Sequence, residues 1–468
     1  MISFRKELFI AFFYKAVDTY SYVIISFVVT MILSRILTPY DYGIVAIANV
    51  FLSLFLLVGT CGLNNAIVQN KELRENDFNN FFSLTFYAAI IFSIIFFSFS
   101  KFIADFYGKD QLVVVCRILS VVLFFNILNI VPNSLLIKGK KFAFIAKRTF
   151  IVYLLTGTVS VILALNGGGI YSLLITPLFS SILIFVVNYY RYRFELKIHI
   201  EKESINKVFK FSLYDFLYGL INTMELQFDK LVIGKKYNTS VLAQYDKANL
   251  FTNLIVGNIN AVLIQSVYSI LNEKAIGLDW IESSFRKFVR IVASISLPLS
   301  VFVYISSKEL ILISFGNQWD TAIDLLKISS FFIPVILLQS LKDVYFRIMN
   351  KTSILMISSL YLFLLKVVVV IFVVYYTESL YYVMYSILCV NLLKLFYVYG
   401  LLYKLFDKPV IWAYKAMFYP LIFTLSLLIL YNFVFLFLDV DNLWINIMIK
   451  LGIFLIFGGG FIMYMIRR

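Results

Sequence analysis

Unbroken apolar runs of about 20 residues recur along the whole chain, and they decide what the chain can fold into. A helix of that length spans the hydrocarbon core of a bilayer, whereas a membrane β-barrel needs strands of about ten residues that alternate apolar and polar positions. Of the 468 residues, 62% are hydrophobic and 14% are charged. Soluble domains keep roughly a quarter of their residues charged. The sequence therefore predicts an all-α polytopic membrane protein.

Fourteen apolar segments are candidate transmembrane helices, of which the eighth is the most polar. An even number places both termini on the same side of the membrane. They lie near residues 9–33, 42–63, 78–99, 112–137, 149–165, 170–190, 208–228, 241–271, 288–305, 322–345, 354–376, 380–403, 414–438 and 443–466.

The distribution of Lys and Arg predicts the orientation. If the N-terminus is cytoplasmic, the basic loops 138–148 and 191–207 also face the cytoplasm, whereas the outer turns 166–170 and 439–442 carry no basic residue. This is the bias of the positive-inside rule, and it explains the net charge of +15 without nucleic-acid binding. Both termini are therefore predicted to be cytoplasmic.

Few residues suit catalysis or metal binding. His199 is the only histidine, and the three cysteines are odd in number, so neither a histidine-based metal site nor a disulfide framework is indicated. No loop is longer than about 20 residues, which leaves little room for an extramembrane catalytic domain. We expect no enzyme, no catalytic residue, no metal site and no cofactor, apart from Na⁺ or H⁺ as a coupling ion.

An internal repeat suggests the domain organisation. Residues 34–54 and 234–254 are similar at a constant offset, and each copy follows the first helix of a six-helix set. Parallel repeats of this kind form two lobes related by an axis along the membrane normal. The alternative is chance similarity between apolar sequences. The predicted division is an N-lobe with helices one to six, a C-lobe with helices seven to twelve, and two further helices, at residues 1–206, 207–408 and 409–468.

The stretch SRILTPYDYG, residues 34–43, reads as a tight turn between the first two helices. Pro39 suits a first helical turn, and Asp41 there complements the helix dipole. Gly43 permits close approach to a neighbouring helix. Arg35 is then left as a candidate functional charge.

Four stretches resemble the Wzx-type polysaccharide flippases of the WzxC-like subgroup. They are LSRILTPYDYGIVAIANVF, GLNNAIVQNKEL, FDKLVIGKKYNTSVLAQYDKA and SFGNQWDTAIDLLKI, and they cover the chain up to about residue 345. Beyond that point only the hydropathy is similar. The resemblance implies the multidrug/oligosaccharidyl-lipid/polysaccharide (MOP) exporter superfamily, with two six-helix lobes around a central cavity.

The same resemblance implies a function. Such flippases carry undecaprenyl-diphosphate-linked oligosaccharide from the cytoplasmic to the periplasmic leaflet of the bacterial inner membrane by alternating access. The glycan would be a repeat unit of O-antigen lipopolysaccharide, capsule or exopolysaccharide, and the partners would be this lipid-linked glycan, the bilayer and polysaccharide polymerase machinery. No nucleic acid is expected.

Charged residues within or near apolar segments are the candidate site, because a charge at the bilayer centre costs at least about 2.5–3.5 kcal/mol and usually serves function. Basic side chains would compensate a diphosphate. The alternative is that single lysines reach out to the membrane interface. The predicted cavity bases are Lys15, Arg35, Arg117, Lys247, Lys366 and Lys394.

A buried carboxylate can bind a proton or Na⁺ as access to it changes. The predicted ion-coupling candidates are Asp18, Asp215, Glu225 and Asp229, each of which a neighbouring lysine could instead neutralise.

Three other functions remain open from the sequence. An ion-coupled small-molecule exporter of the same superfamily would favour a smaller cavity with fewer bases. A membrane polysaccharide polymerase or ligase would need a substantial periplasmic loop. A structural membrane scaffold would not need charges within its apolar segments.

Overall fold

Helices account for nearly all of the chain in the computed structural model, which describes residues 2–198, 200–274, 277–349, 351–437 and 442–467. None of these residues forms a β-strand, so the predicted all-α class is confirmed. His199, residues 439–441 of the predicted outer turn 439–442, and Arg468 lie outside the described residues, as does the side chain of Lys15.

The chain forms two compact units, Met1–Ala243 (unit 1) and Gln244–Arg468 (unit 2). The predicted lobes were derived from the internal repeat, whereas these units are defined by the compactness of the structure. The lobes therefore stay a prediction. The helices of unit 1 are α1 (Ile2–Ile36), α2 (Pro39–Thr60), α3 (Leu63–Gln69), α4 (Glu75–Tyr107), α5 (Gln111–Leu128), α6 (Ile130–Lys138), α7 (Phe142–Leu165), α8 (Tyr171–Arg191), α9 (Lys202–Lys236) and the first residues of α10 (Thr239–Lys274).

Unit 2 contains the rest of α10 and the nine helices that follow it among the described residues. A 3₁₀ turn at Asn317–Trp319 leads into α13, and a π-helical turn at Phe454–Gly458 joins the last two helices. The helices are α11 (Leu278–Ile305), α12 (Ser307–Phe315), α13 (Asp320–Ser330), α14 (Phe332–Ile348), α15 (Thr352–Tyr376), α16 (Leu380–Leu405), α17 (Ile411–Phe437), α18 (Leu443–Ile453) and α19 (Gly459–Arg467).

Each of the fourteen predicted segments falls on a helix or on a pair of consecutive helices, but fourteen membrane spans are not confirmed. Eleven spans in the described residues are long and apolar enough to cross a bilayer, and a twelfth follows if α13 and α14, bent by 41°, count together. The remaining two, α9 and α10, have 35 and 36 residues and carry more polar side chains. The chain is a multi-pass membrane protein.

The α1–α2 turn has the predicted form. Thr38 is the N-cap of α2, and its hydroxyl accepts a hydrogen bond from the Asp41 backbone N–H at 3.3 Å. The Asp41 carboxylate in turn accepts from the Thr38 backbone N–H at 3.1 Å, which completes a capping box. Pro39 occupies the first helical position, where its missing N–H costs nothing.

Gly43 lies against the turn between α9 and α10. A Cβ atom on Gly43 would stand 1.8 Å from the carbonyl oxygen of Thr239, so the two backbones approach too closely for any side chain. The predicted role of Gly43 is therefore confirmed. The neighbouring turn belongs to the second copy of the repeat, so the two similar stretches meet here in unit 1.

The start of α9 is fastened to the start of α4. The Lys207 ammonium lies 3.2 Å from both oxygens of Asp77, and the Ser204 hydroxyl donates to Asp77 at 2.6 Å. Lys138, at the end of α6, donates to the carbonyl oxygens of Ile67 and Asn70. Part of the basic charge predicted for the loops 138–148 and 191–207 therefore holds helix ends together.

Candidate functional site

A buried hydrogen-bonded network crosses the interior of unit 1. The Arg148 guanidinium on α7 donates to the side-chain oxygen of Asn188 on α8 at 2.6 Å, and Asn188 donates to Asn129 at 2.8 Å. Asn188 is fully buried and Arg148 is 8% exposed. Asn129 sits in the break between α5 and α6, so one network joins three membrane helices.

The residues on α7 explain why Arg148 points inward. Ile145, Thr149 and Val152 are buried together with Arg148, which is the spacing of one helix face, whereas Lys147 is exposed. The sequence placed Arg148 in a cytoplasmic loop at 138–148, and this was wrong because α7 begins at Phe142. The signal for it was the position of Arg148 three residues after Ile145 and four before Val152, on an apolar helix face.

Asp18 completes this group, which we call the α7 polar cluster: Asp18, Asn129, Arg148 and Asn188. Asp18 on α1 is half-buried and interacts electrostatically with Arg148. The Nε atom of Arg148 has no hydrogen-bond partner among the described residues. The cluster therefore combines a carboxylate, which can bind a cation, with a guanidinium whose Nε–H can donate a further hydrogen bond.

A cavity of about 130 Å³ lies beside the cluster, between α1, α2, α7 and α8. Tyr153 connects the cavity with the cluster. It lines the cavity, and its hydroxyl interacts electrostatically with Arg148 and Asp18. Apolar atoms make up most of the lining surface, but six lining residues bring hydroxyl groups to it: Ser26, Thr30, Tyr42, Tyr153, Ser160 and Thr176.

The two predicted bases of unit 1 with described side chains, Arg35 and Arg117, lie at its surface. Arg35 is exposed in the last turn of α1, where a cation complements the helix dipole. Arg117 is exposed on α5, with its guanidinium 4.8 Å from the centre of the Phe97 ring. The structure does not bury either residue, and their role as cavity bases stays a prediction.

Three predicted ion-coupling residues lie on α9. Asp215 accepts a hydrogen bond from the Asn65 side chain at 3.0 Å and so ties α9 to α3. Glu225 is half-buried and Asp229 is 7% exposed. These carboxylates are spread along α9 over fourteen residues, or about 20 Å of helix. They therefore do not form a single site, and their coupling role stays a prediction.

Lys247 in unit 2 is held between two aromatic rings. Its ammonium lies 4.6 Å from the centre of the Phe315 ring and 4.9 Å from that of Trp319. Lys247 is 4% exposed and both rings are fully buried. Next to it, Gln244 donates to the Gln318 carbonyl oxygen at 2.9 Å. These residues belong to two of the stretches that carry the family resemblance, so the resemblance reflects packing between α10 and the α12–α13 turn.

Lys366 on α15 and Lys394 on α16 are buried, at 5% and 6% exposure. Such burial argues against the alternative in which these side chains reach out to the membrane interface. The structure thus places three of the predicted bases inside unit 2, and their contact with a substrate stays a prediction.

Sequence reasoning missed an ion pair inside unit 2. The Lys450 ammonium on α18 lies 2.7 Å from a carboxylate oxygen of Glu309 on α12 and donates to the Ile305 carbonyl at 3.0 Å. Asn446 donates to the same Glu309 oxygen at 2.9 Å. Glu309 lies in the first turn of α12, where a negative charge complements the helix dipole. The Lys450 ammonium contacts the C-terminal end of α11, where a positive charge does the same. Lys450 is a single charge in the apolar segment 443–466, which was the signal for it.

Comparison with known proteins identifies relatives of the chain. Residues 32–324 match a family described as polysaccharide biosynthesis protein. The chain is 24% identical over 307 residues to the succinoglycan biosynthesis transport protein ExoT of Rhizobium meliloti (strain 1021), an alignment that covers 63% of this chain and 60% of that one. The chain spans 56–64% of the length of the curated relatives it matches.

Solved structures match the fold along nearly the whole chain. The lipid II flippase MurJ in an inward closed conformation gives a TM-score of 0.75 at 16% identity, covering 97% of this chain and all of that one. An inward-facing multidrug resistance MATE family transporter of the MOP superfamily gives 0.65 at 15% identity, covering 82% and 94%. The expected superfamily fold is confirmed. Because the family match covers more than half of the chain, this protein belongs to that family of polysaccharide biosynthesis proteins, built on the fold of the MOP superfamily.

Proposed function

We propose that this protein is a flippase that moves oligosaccharide linked to undecaprenyl diphosphate from the cytoplasmic to the periplasmic leaflet of the bacterial inner membrane. The observation that carries the proposal is the sign of the charge buried in its membrane helices. Six of the ten charged side chains that are buried in the described residues are basic, five of these six in unit 2, and an anionic diphosphate needs such compensation in a low-dielectric interior. The buried bases are Arg148, Lys247, Lys342, Lys366, Lys394 and Lys450.

These bases differ in how they are compensated. Lys450 is paired with Glu309, whereas Arg148 donates to the neutral Asn188 and keeps a donor at Nε. Arg148 is therefore the base of unit 1 best suited to contact an anionic group of the substrate. Lys247 carries its charge between two rings, where cation–π attraction lowers the cost of burial.

Transport proceeds by alternating access, with a change in the exposure of the cavity rather than covalent chemistry. Asp18 is the coupling group best supported in unit 1, because protonation or Na⁺ binding there changes the net charge beside Arg148. The relatives' names support a transport role in polysaccharide biosynthesis. Both termini lie in the cytoplasm, and the flipped glycan is handed to polymerase machinery for O-antigen, capsule or exopolysaccharide.

The test uses proteoliposomes that contain the full chain and a fluorescent undecaprenyl-diphosphate oligosaccharide. An impermeant quencher added outside reports the fraction of label that has changed leaflet. We expect quenching beyond the half already exposed in protein-free vesicles, and Arg148→Gln reduces it, whereas the exposed Lys287→Gln does not. Quenching equal to that of protein-free vesicles with the native glycan supplied would reject flipping and favour the small-molecule exporter.

A further inference from the structure

One end of unit 1 carries an exposed basic surface. Its five cations lie on the α6–α7 turn, on α7 and at the end of α8, and none of them forms an ion pair with another described residue. Other cations in the same stretch are paired, Lys207 with Asp77 and Lys197 with Glu201. The chain thus separates bases that fasten its own helices from bases that it leaves at the surface. The exposed set is Lys140, Lys141, Lys147, Arg191 and Arg193.

Three residues form the centre of this surface. The Arg191 guanidinium lies 4.7 Å from the centre of the Phe144 ring, which holds the arginine against α7. Lys147 follows Phe144 by three residues and therefore lies on the same helix face. The α6–α7 turn lies close to the end of α8, because a Cβ atom on Gly139 would stand 3.7 Å from the Tyr192 hydroxyl oxygen. Two cations on different helices thus flank one ring.

The surface of α7 turns apolar immediately beyond the cations. Phe150 and Leu154 follow Lys147 at intervals of three and four residues, so all three share a face. Their exposed fractions are 45% and 46%. Tyr190, 76% exposed at the end of α8, has the position of an interfacial aromatic residue. A polar head followed by an acyl chain is the ligand shape that matches cations followed by apolar side chains along one helix.

We propose that Lys147 and Arg191 bind the phosphate of an anionic phospholipid whose acyl chain lies along Phe150 and Leu154. The charge is complementary, and basic pockets between membrane helices bind anionic head groups of this kind. The site is distinct from the α7 polar cluster, because Lys147 is exposed whereas Arg148, about 100° further around α7, is buried. The lipid would cover the outer face of α7 while Arg148 serves the interior.

The test places a reporter at the acyl end of the site. The full-length Leu154→Trp protein is reconstituted with phosphatidylglycerol or phosphatidylcholine brominated on one acyl chain, and the quenching of the added tryptophan is measured against the parent protein. Each cation near an anionic lipid raises the binding affinity about fivefold. With two cations, we expect phosphatidylglycerol to bind about 30-fold more tightly than phosphatidylcholine. Lys147→Gln with Arg191→Gln brings this selectivity close to one, and Lys147→Arg retains it.

A matched double variant, Lys404→Gln with Lys415→Gln, removes the same charge from exposed positions of unit 2 and keeps the selectivity. Equal quenching by both lipids in the Leu154→Trp protein would overturn the proposal, as would selectivity that survives the Lys147/Arg191 double variant. Displacement of the brominated phosphatidylglycerol by an equimolar amount of undecaprenyl phosphate would assign the site to the lipid carrier instead, and would also overturn it.

Discussion

The carbonyl oxygen of Thr239 lies 1.8 Å from the place where a Cβ atom on Gly43 would stand. Gly43 follows the cap of α2, and Thr239 begins α10. The contact joins residues of the two similar stretches, 34–54 and 234–254, which approach each other here through bare backbone. A substitution at this position acts on that packing.

Gly43→Ala is expected to destabilise the protein by about 1–3 kcal/mol, because the backbones must separate to admit a methyl group. Thermal unfolding in detergent, followed by size-exclusion fluorescence, measures the loss. Gly257→Ala is the matched control, since a Cβ at that helical glycine meets no atom within 4 Å. A Gly43→Ala protein as stable as the wild type would contradict the close approach.

The Glu309–Lys450 pair should behave as a buried ion pair. Glu309→Gln leaves the Lys450 charge inside unit 2 and is expected to cost about 3–5 kcal/mol, whereas the double variant with Lys450→Met recovers much of that loss. Chemical unfolding in detergent gives the difference. The exposed pair Lys327–Asp324, whose charged atoms lie 2.8 Å apart, is the control, and Asp324→Asn should cost less than about 1 kcal/mol. Equal losses at the two pairs would contradict the buried role.

Charge and hydrogen bonding at Arg148 can be separated. Arg148→Gln keeps an amide donor toward Asn188 but removes the charge, so we expect the protein to fold and flipping to fall at least about tenfold, or about 1.4 kcal/mol. Asn188→Ala removes the acceptor at 2.6 Å and the link to Asn129, and should reduce stability by about 1.5–3 kcal/mol. Normal flipping by a well-folded Arg148→Gln protein would show that the charge serves packing alone.

Lys247→Met tests whether the base between Phe315 and Trp319 serves transport. Methionine packs well against aromatic rings, and removing a buried charge is often neutral for stability, so the melting temperature should stay within a few degrees or rise. If Lys247 compensates substrate charge, flipping falls at least about tenfold. Lys247→Arg, which keeps the charge, provides the comparison. A Lys247→Met protein that flips normally would remove Lys247 from the predicted cavity bases.

Much of the local structure could be predicted because it depends on neighbouring residues. Apolar runs predict membrane helices, and Pro39 with Asp41 predicts the turn at which α2 begins, since a helix start depends on three or four consecutive residues. Broken helices were harder. The break at Asn129 divides a segment that reads as continuous, because the residue that stabilises the break, Asn188, is 59 positions away.

The candidate site could be predicted only in part. Lys247, Lys366 and Lys394 are buried as their apolar surroundings indicated, but Arg35 and Arg117 are exposed. Hydropathy reports that a charge lies within a helix and not which face of the helix carries it.

The sequence by itself determined that this chain is a bundle of membrane helices with a tight α1–α2 turn, because hydropathy and turn formation are properties of adjacent residues. Only the tertiary structure decided which charges meet. Arg148 finds Asn188 across 40 positions, and Lys450 finds Glu309 across 141. A charge in a low-dielectric interior must have a partner, and the packing of helices chooses that partner from residues far apart in the sequence.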